Sequence, residues 1–266
     1  MGRGISEEEV AAYWDRNAPH WADQVRKGYD AFRDRLNTPA MLERIGPVSG
    51  LRVLDAGCGE GTNARILARA GAKVKGVDIS SSMIAAARAE ERSSPLGIDY
   101  VLGSFSAPGP FEAGSFDLVV SFMALMDAPH YVEALGEFHR LLSPGGRLVF
   151  SVTHPCFLTP QLEWLQADAA GRRRLAVGSY FSEEHYVDEW CFSRRPEDDD
   201  AQPFRVPNFP RTLSGYLNPI VEAGFAIEGI GEPRPSEELC VEIPEWRKWR
   251  EEAAIFLHVS ARKPAR

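Results

Sequence analysis

The apolar positions of the chain change period along its length, and each change marks an element. Leu51 to Leu54 is a short apolar run that stops at Asp55, after which glycines stand at positions 57, 59 and 61. Three glycines at alternate positions carry no side-chain bulk, so a tight turn must follow the strand. Beyond it Ile66, Leu67 and Ala70 keep helical spacing until Gly71, with Thr62 placed to cap the helix. Lys73 to Asp78 then reads as a second strand, with Val74 and Val77 apolar and Asp78 at its carboxyl end. Strand, turn, helix and strand in this order make a βαβ unit.

The alternation continues on the carboxyl side. Ser80 caps a helix carrying Met83, Ile84 and Ala87, and further strands are predicted at 98–102, 116–122 and 147–152. Between the last two, Val132, Leu135, Phe138, Leu141 and Leu142 form a helical stripe that Pro144-Gly145-Gly146 terminates. On the amino side, Ser6 and Glu9 have capping-box spacing, so a helix starts near Glu7 and runs through Tyr13 and Trp14, with Pro19 at or just beyond its end. A dense group of large side chains follows: Trp21, Tyr29, Phe32 and Arg33. After Val152 periodicity is lost for nearly sixty residues rich in aromatics, charges and prolines. It returns with Leu213, Tyr216, Leu217, Ile220 and Val221, a helix capped by Thr212 or Ser214, kinked at Pro219 and ended by Gly224. Phe225 to Ile230 and Ile255 to Ala261 read as two final strands.

In a βαβ unit a ligand lies beyond the carboxyl ends of the strands, over the first turn, where glycines let it approach the backbone. A carboxylate at Asp78 reaches the same place and can accept both hydroxyl hydrogens of a ribose while repelling a ribose phosphate. Dinucleotide-binding loops space their glycines G-x-G-x-x-G to face a pyrophosphate. This loop reads G-x-G-x-G and places Asp55 beside it, an acid suited to an ammonium group rather than to phosphate.

At this point Val53 to Gly61 resembles the first motif of the class I S-adenosylmethionine-dependent methyltransferases almost position for position. The resemblance is good over residues 50–153 and weaker outside them. It implies an α/β, Rossmann-like fold: a seven-stranded, mostly parallel sheet with helices on both faces and an antiparallel last strand. It also implies S-adenosylmethionine as cofactor and S-adenosylhomocysteine as product. The reaction would be an in-line displacement by an oxygen or nitrogen, less readily a carbon, of a small-molecule acceptor. In that scheme the protein aligns the nucleophile, excludes water and, where required, removes a proton.

Carried onto this chain, the resemblance assigns Asp55, Gly57 and Gly59 to the methionyl end, with Cys58 and Gly61 completing the loop. It assigns Asp78 to the ribose, and Ile79 and Met83 to a face of the adenine. An acid is usual after the third strand, where this chain has Gly103-Ser104-Phe105; the Ser104 hydroxyl and the Phe105 backbone N–H are the substitutes. Ser121 and Phe122 would approach the methionyl chain or the transferable methyl, and Arg33 would pair with the cofactor carboxylate. For the acceptor the candidates are Tyr13, Trp21, His154, Tyr180, Phe181 and Tyr186, with His185, Trp190 and Phe192 as further walls. These aromatics read equally well as a satellite core beneath the insertion. His154 is the best-placed candidate base, since it follows a strand ending at the active face, and the alternative is a structural histidine braced by Pro155. Asp127 either orients an acceptor or caps the next helix. Pro210 stands where a histidine is expected before Arg211-Thr212, which points to a different acceptor.

Composition narrows the picture. The chain has 266 residues, enough for one such sheet with decorations, divided as a helical cover (1–45), a cofactor-binding core (46–153), an inserted acceptor-binding lid (154–211) and a returning helix with two strands (212–266). A net charge of −8 argues against a nucleic-acid partner, because such affinity depends on Lys and Arg neutralising phosphates. Neither terminus shows a signal-peptide or membrane-span pattern, which makes a soluble, cytoplasmic protein the expectation. Cys58, Cys156, Cys191 and Cys240 are too scattered for a zinc site or a disulfide framework, so no metal is expected. The acidic run 197–200 reads as a solvated loop. Three competing functions remain: RNA or protein methylation, supported only by the short Arg172-Arg173-Arg174 run; a non-catalytic S-adenosylmethionine sensor; and a nicotinamide oxidoreductase, disfavoured by the glycine spacing and Asp55. The pattern carries no signal for oligomeric state.

Overall fold

A computed structural model describes residues 4–107, 109, 111–169, 171–196 and 202–265; the acidic run at 197–200 lies outside the described residues. Helix α1 (Glu7–Arg26) opens on the expected capping box, with the Glu9 N–H donating to the Ser6 hydroxyl at 3.3 Å and the Ser6 N–H to the Glu9 carboxylate at 2.8 Å. Pro19 lies inside this helix rather than at its end. Packing overrides the local penalty: Ala18 and Ala22 are buried, and Asn17 exchanges hydrogen bonds with the backbone of Arg205, 188 positions away. A π-helical turn (Arg33–Asn37) leads into α2 (Thr38–Ile45).

The predicted βαβ unit is present as β1 (Arg52–Ala56), α3 (Thr62–Arg69) and β2 (Lys73–Asp78). Thr62 does not cap α3; it is the first helical residue, and Gly61 takes the cap position at φ 89°, in the left-handed region. Only glycine suits that position, because a Cβ there would stand 2.4 Å from the Tyr100 hydroxyl. Helix α4 (Ser81–Ser93) is capped by Ser80 as expected, and β3 (Asp99–Leu102) and β4 (Phe116–Phe122) follow. After a 3₁₀ turn (Leu125–Asp127), α5 (Tyr131–Leu141) leads directly into β5 (Leu142–Thr153). The fifth strand thus begins five residues earlier than its apolar run suggests. Gly145 and Gly146 pair with Lys263, so the Pro-Gly-Gly segment ends the helix and is also part of the sheet.

Among the described residues of 154–211, two antiparallel strand pairs form: the first hairpin, β6 (Gln161–Trp164) with β7 (Leu175–Gly178), and the second hairpin, β8 (Tyr186–Trp190) with β9 (Phe204–Asn208). The chain then returns through α6 (Leu213–Glu222) and β10 (Ala226–Gly231), two short helices α7 (Glu237–Glu242) and α8 (Arg247–Glu251), and β11 (Phe256–Arg262). The segment 237–251 carries no clear periodicity. Long-range packing holds it, with Trp246 stacked on Phe32 at 4.4 Å.

The sheet order is β10-β11-β5-β4-β1-β2-β3, with β11 antiparallel to both neighbours and the other strands parallel. Central strands are buried on both faces: Leu118, Val119 and Val120 are all essentially inaccessible. One face packs on Leu135 and Phe138 of α5 and Ile220 of α6; the other packs on Ile45 of α2, Leu67 of α3 and Ile84 of α4. Strand order reverses between β1 and β4, and a crevice at that switch point is where such sheets bind ligands.

Candidate functional site

The loop after β1 turns back on the end of β2. The N–H groups of Gly57 and Cys58 both donate to the Val77 carbonyl, at 2.8 and 3.1 Å, and the Gly59 N–H donates to the Asp78 carboxylate at 2.8 Å. Three backbone donors that a phosphate would need are therefore already used. Gly57 has φ 76°, and a Cβ there would lie 2.3 Å from that of Ala124. Gly59 has φ 54° and nothing within 4 Å of its Cβ position, which leaves open space above the loop.

That space belongs to a cavity of about 430 Å³ at the carboxyl ends of β1, β2 and β4. Helix α1 covers it and is attached at three points. Asp15 accepts from the Ser80 hydroxyl and the Ser82 N–H at 2.6 and 2.8 Å, which ties α1 to the start of α4. Glu7 accepts from the Ser104 hydroxyl at 2.8 Å. Trp21 donates its indole N–H to Glu60 at 3.2 Å and packs against Trp14, Trp190, Phe192 and Phe204, with centroids 4.9–5.6 Å apart. Through Trp21 the N-terminal helix, the glycine loop and the second hairpin become one wall.

The cavity is strongly acidic. Among the described residues lining it, Glu7, Asp30, Glu60, Asp78, Asp127 and Asp188 carry carboxyl groups, and Arg33 is the lone guanidinium. Arg33 pairs with Asp34 at 2.9 Å and lies 3.6 Å from Glu60. Beneath the loop, Asp55 is 1% exposed and neither carboxylate oxygen has a hydrogen-bond partner among the described residues. Burial, with the charges of Asp78 and Glu60 adding to it, pushes Asp55 up to about 8. Asp78 rises to about 6 because burial outweighs the N–H bonds from Ser80 and Gly59, and Asp30 rises to about 6 because burial outweighs Arg33. Such a site favours a ligand that brings positive charge and hydroxyl donors.

Residues 54–150 match the family described as methyltransferase domain. The chain is 32% identical over 227 residues to malonyl-[acyl-carrier protein] O-methyltransferase of Enterobacter lignolyticus, covering 85% of this chain and 80% of that protein. An S-adenosylmethionine-dependent methyltransferase of Mesorhizobium loti, solved by crystallography, superposes with a TM-score of 0.69 at 32% identity, covering 84% of this chain and 96% of that one. The chain belongs to the class I S-adenosylmethionine-dependent methyltransferases. It is also 33% identical to ubiquinone biosynthesis O-methyltransferase of Nitrosococcus oceani over 150 residues, 55% of this chain and 62% of that protein. The match thus spans less than two thirds of that relative's length.

The cavity fits the family's cofactor. Orphaned carboxylate oxygens at Asp55 and the acids by the loop, Glu60 and Asp30, suit the cationic methionyl end, Asp78 suits an unphosphorylated ribose, and the three N–H groups of Gly57, Cys58 and Gly59 are already bonded and not free for phosphate.

The structure gathers only some of the residues singled out from sequence. Gly57, Cys58, Gly59, Asp78, Ile79, Met83, Ser104, Phe105, Phe122, Arg33 and Trp21 line the cavity, as do Trp190 and Phe192. Asp55 and Gly61 lie in the loop but not on its open face. Ser121 is fully buried and donates to the Ala56 carbonyl at 2.8 Å, fastening β4 to β1 under the loop. The Ser104 hydroxyl is not free, since it donates to Glu7 and accepts from the Ser106 N–H at 2.9 Å. The carboxylate in that corner therefore comes from α1. Tyr13 stacks under Arg16 away from the cavity, Tyr180 uses its hydroxyl to accept from the Leu213 N–H, Phe181 is 83% exposed, and Tyr186 does not line the cavity.

His154 is likewise outside the cavity. Its Nδ1 accepts from the Cys156 N–H at 3.2 Å, which leaves the proton on Nε2 facing Glu232 at 2.8 Å. It is 2% exposed, and burial lowers its pKa despite that partner. The arrangement is that of a buried bracing histidine. Sequence reasoning assigned no role to Glu60, Asp30 or Asp188. Glu60 had a visible signal, a charged side chain between two glycines of the loop; Asp188 had none, because its place depends on how β8 folds back.

Proposed function

We propose that the chain transfers the methyl group of S-adenosylmethionine to an oxygen or nitrogen of a small-molecule acceptor, leaving S-adenosylhomocysteine. One observation carries the reading: a single cavity joins the glycine loop to an aromatic chamber walled by Phe122, Met126, Trp190, Phe192 and Val206. The similarity to a ubiquinone biosynthesis O-methyltransferase and a malonyl-[acyl-carrier protein] O-methyltransferase supports an acceptor other than nucleic acid.

In this reading Asp78 accepts the ribose hydroxyls, Ile79 and Met83 lie against the adenine, and Gly57 and Gly59 admit the methionyl chain, with Arg33 toward its carboxylate and Asp55 and Glu60 toward its positive charge. The cofactor supplies a methyl already activated by a sulfonium, so the protein need not create an electrophile. Helix α1 and the β8–β9 hairpin exclude water, while the aromatic walls hold the acceptor's apolar body. Residues 154–211 then act as the acceptor-binding region, and His154 supports the structure without taking a proton.

The test is transfer of a labelled methyl from S-adenosylmethionine into a fractionated cell extract. Label in one small-metabolite peak is expected. Label in RNA or protein would overturn the small-molecule assignment, and cofactor binding without any transfer would point to a sensor.

A further inference from the structure

Beyond the cofactor loop the cavity holds a second pair of acids. Asp127 ends the 3₁₀ turn after β4, and Asp188 sits in the middle of β8, 61 positions later in sequence; both line the cavity. Asp127 is 6% exposed, and its carboxylate has no hydrogen-bond partner among the described residues. Asp188 is exposed, lines the same cavity, and lies near enough for its charge to act on Asp127. The nearby guanidinium of Arg211 does not satisfy them. It donates to the backbone carbonyls of Leu125, Phe209 and Ala128 and lies over the rings of Tyr131 and Tyr216 at 5.0 and 5.7 Å.

The surrounding walls are apolar, contributed by Phe122, Met126, Leu158, Trp190 and Val206. A buried carboxylate without a partner in an apolar chamber is costly, and the cost is relieved by a ligand that brings charge and donors together. A hydroxyl brings one hydrogen and no charge. A carboxylate or phosphate would be repelled. An ammonium or amidinium brings a positive charge and two or three N–H groups, enough to bond the inner and the outer acid at once.

We infer that Asp127 and Asp188 form a recognition site for a cationic nitrogen group, so that the acceptor of this enzyme is an amine or amidine carried on an apolar or aromatic body. Burial, with the charge of Asp188 adding to it, raises the Asp127 pKa well above the usual carboxylate range against the opposing pull of Arg211. The inference rests on the methyl-transfer reading and narrows its substrate class.

The experiment is calorimetry of the full chain loaded with S-adenosylhomocysteine, titrated with three probes of one shape: 2-phenylethylamine, 2-phenylethanol and 3-phenylpropionate. The amine should bind at least about tenfold tighter than the alcohol, with the carboxylate weakest. Asp127→Asn and, separately, the exposed Asp188→Asn should each reduce the amine's advantage to less than about threefold while leaving S-adenosylhomocysteine affinity unchanged, which also shows that the variants fold. Equal binding of amine and alcohol, binding of none of the three, or an amine advantage untouched in both variants would overturn the site. Loss of S-adenosylhomocysteine binding by the unmodified chain would instead overturn the methyl-transfer reading itself, so the two failures are distinguishable.

Discussion

The glycine-loop end of the cavity is shaped by backbone, whereas the aromatic end is shaped by side chains from segments far apart in sequence. At the loop, Gly57, Cys58 and Gly59 bond to the end of β2, so the backbone hydrogen bonds that set the turn lie between residues 51 and 78. At the aromatic end, Trp21 meets Trp190, Phe192 and Phe204 and is tied to the loop by its hydrogen bond to Glu60. Local geometry makes the first rigid. The second owes its form to cooperative burial, which lets one end keep a constant ligand while the other changes its occupant.

Trp21→Ala is the severest test of that division. Removing the hub should cost about 3–5 kcal/mol in urea unfolding and raise amide exchange across 186–208, while cofactor affinity falls less than about fivefold. Collapse of cofactor binding with the hairpin still protected would break the comparison. Gly57→Val should do the reverse: a side chain at φ 76° and 2.3 Å from Ala124 should weaken cofactor binding by roughly 30- to 1000-fold through about 2–4 kcal/mol of strain and crowding, with the hairpin's exchange unchanged. Asp78→Ala should weaken cofactor binding by roughly ten- to a hundredfold, through the loss of charge-assisted hydrogen bonds. Unaltered affinity in calorimetry would remove Asp78 from the ribose site.

Smaller effects refine the picture. The folded pKa of Asp55, about 8, lies above its unfolded value near 3.9, so the folded state retains a proton that the unfolded chain releases. Stability of the ligand-free protein from this group is therefore full below about pH 4 and is lost as pH rises toward 8. Asp55→Asn should raise the melting temperature at pH 8 and leave it unchanged near pH 4; an equal gain at both would show that the buried carboxylate is not the cause. His154→Gln should shift neither the pH profile of turnover nor its rate by more than about threefold, since His154 lies outside the cavity. A lost alkaline or acidic limb would restore it as a base.

Much of the fold was legible because its signals are local. Strand spacing placed β1, β2 and β4 within a residue or two, and the Ser6 and Ser80 caps were visible as residue types at fixed offsets. The misreadings have a common cause. Pro19 sits within α1 because Asp15, Asn17 and Trp21 hold α1 to partners 39 to 188 positions away, and these contacts outweigh a missing N–H. The short helices at 237–251, for which the spacing gave no reading, are anchored by Trp246 on Phe32, with Ser236 capping the first.

The sequence by itself determined the parallel sheet, the glycine loop and the acid at the end of β2, since each follows from residue type at fixed spacing: apolar period for the sheet, positive φ for the glycines, strand termination for Asp78. Tertiary structure alone decided which aromatics face the cavity, that the Ser104 hydroxyl is held by Glu7, that His154 is turned toward Glu232, and that Asp188 shares a chamber with Asp127. Those outcomes depend on how α1 and the β8–β9 hairpin dock across the sheet. Docking is governed by the burial of surfaces assembled from distant segments, and no local spacing encodes it.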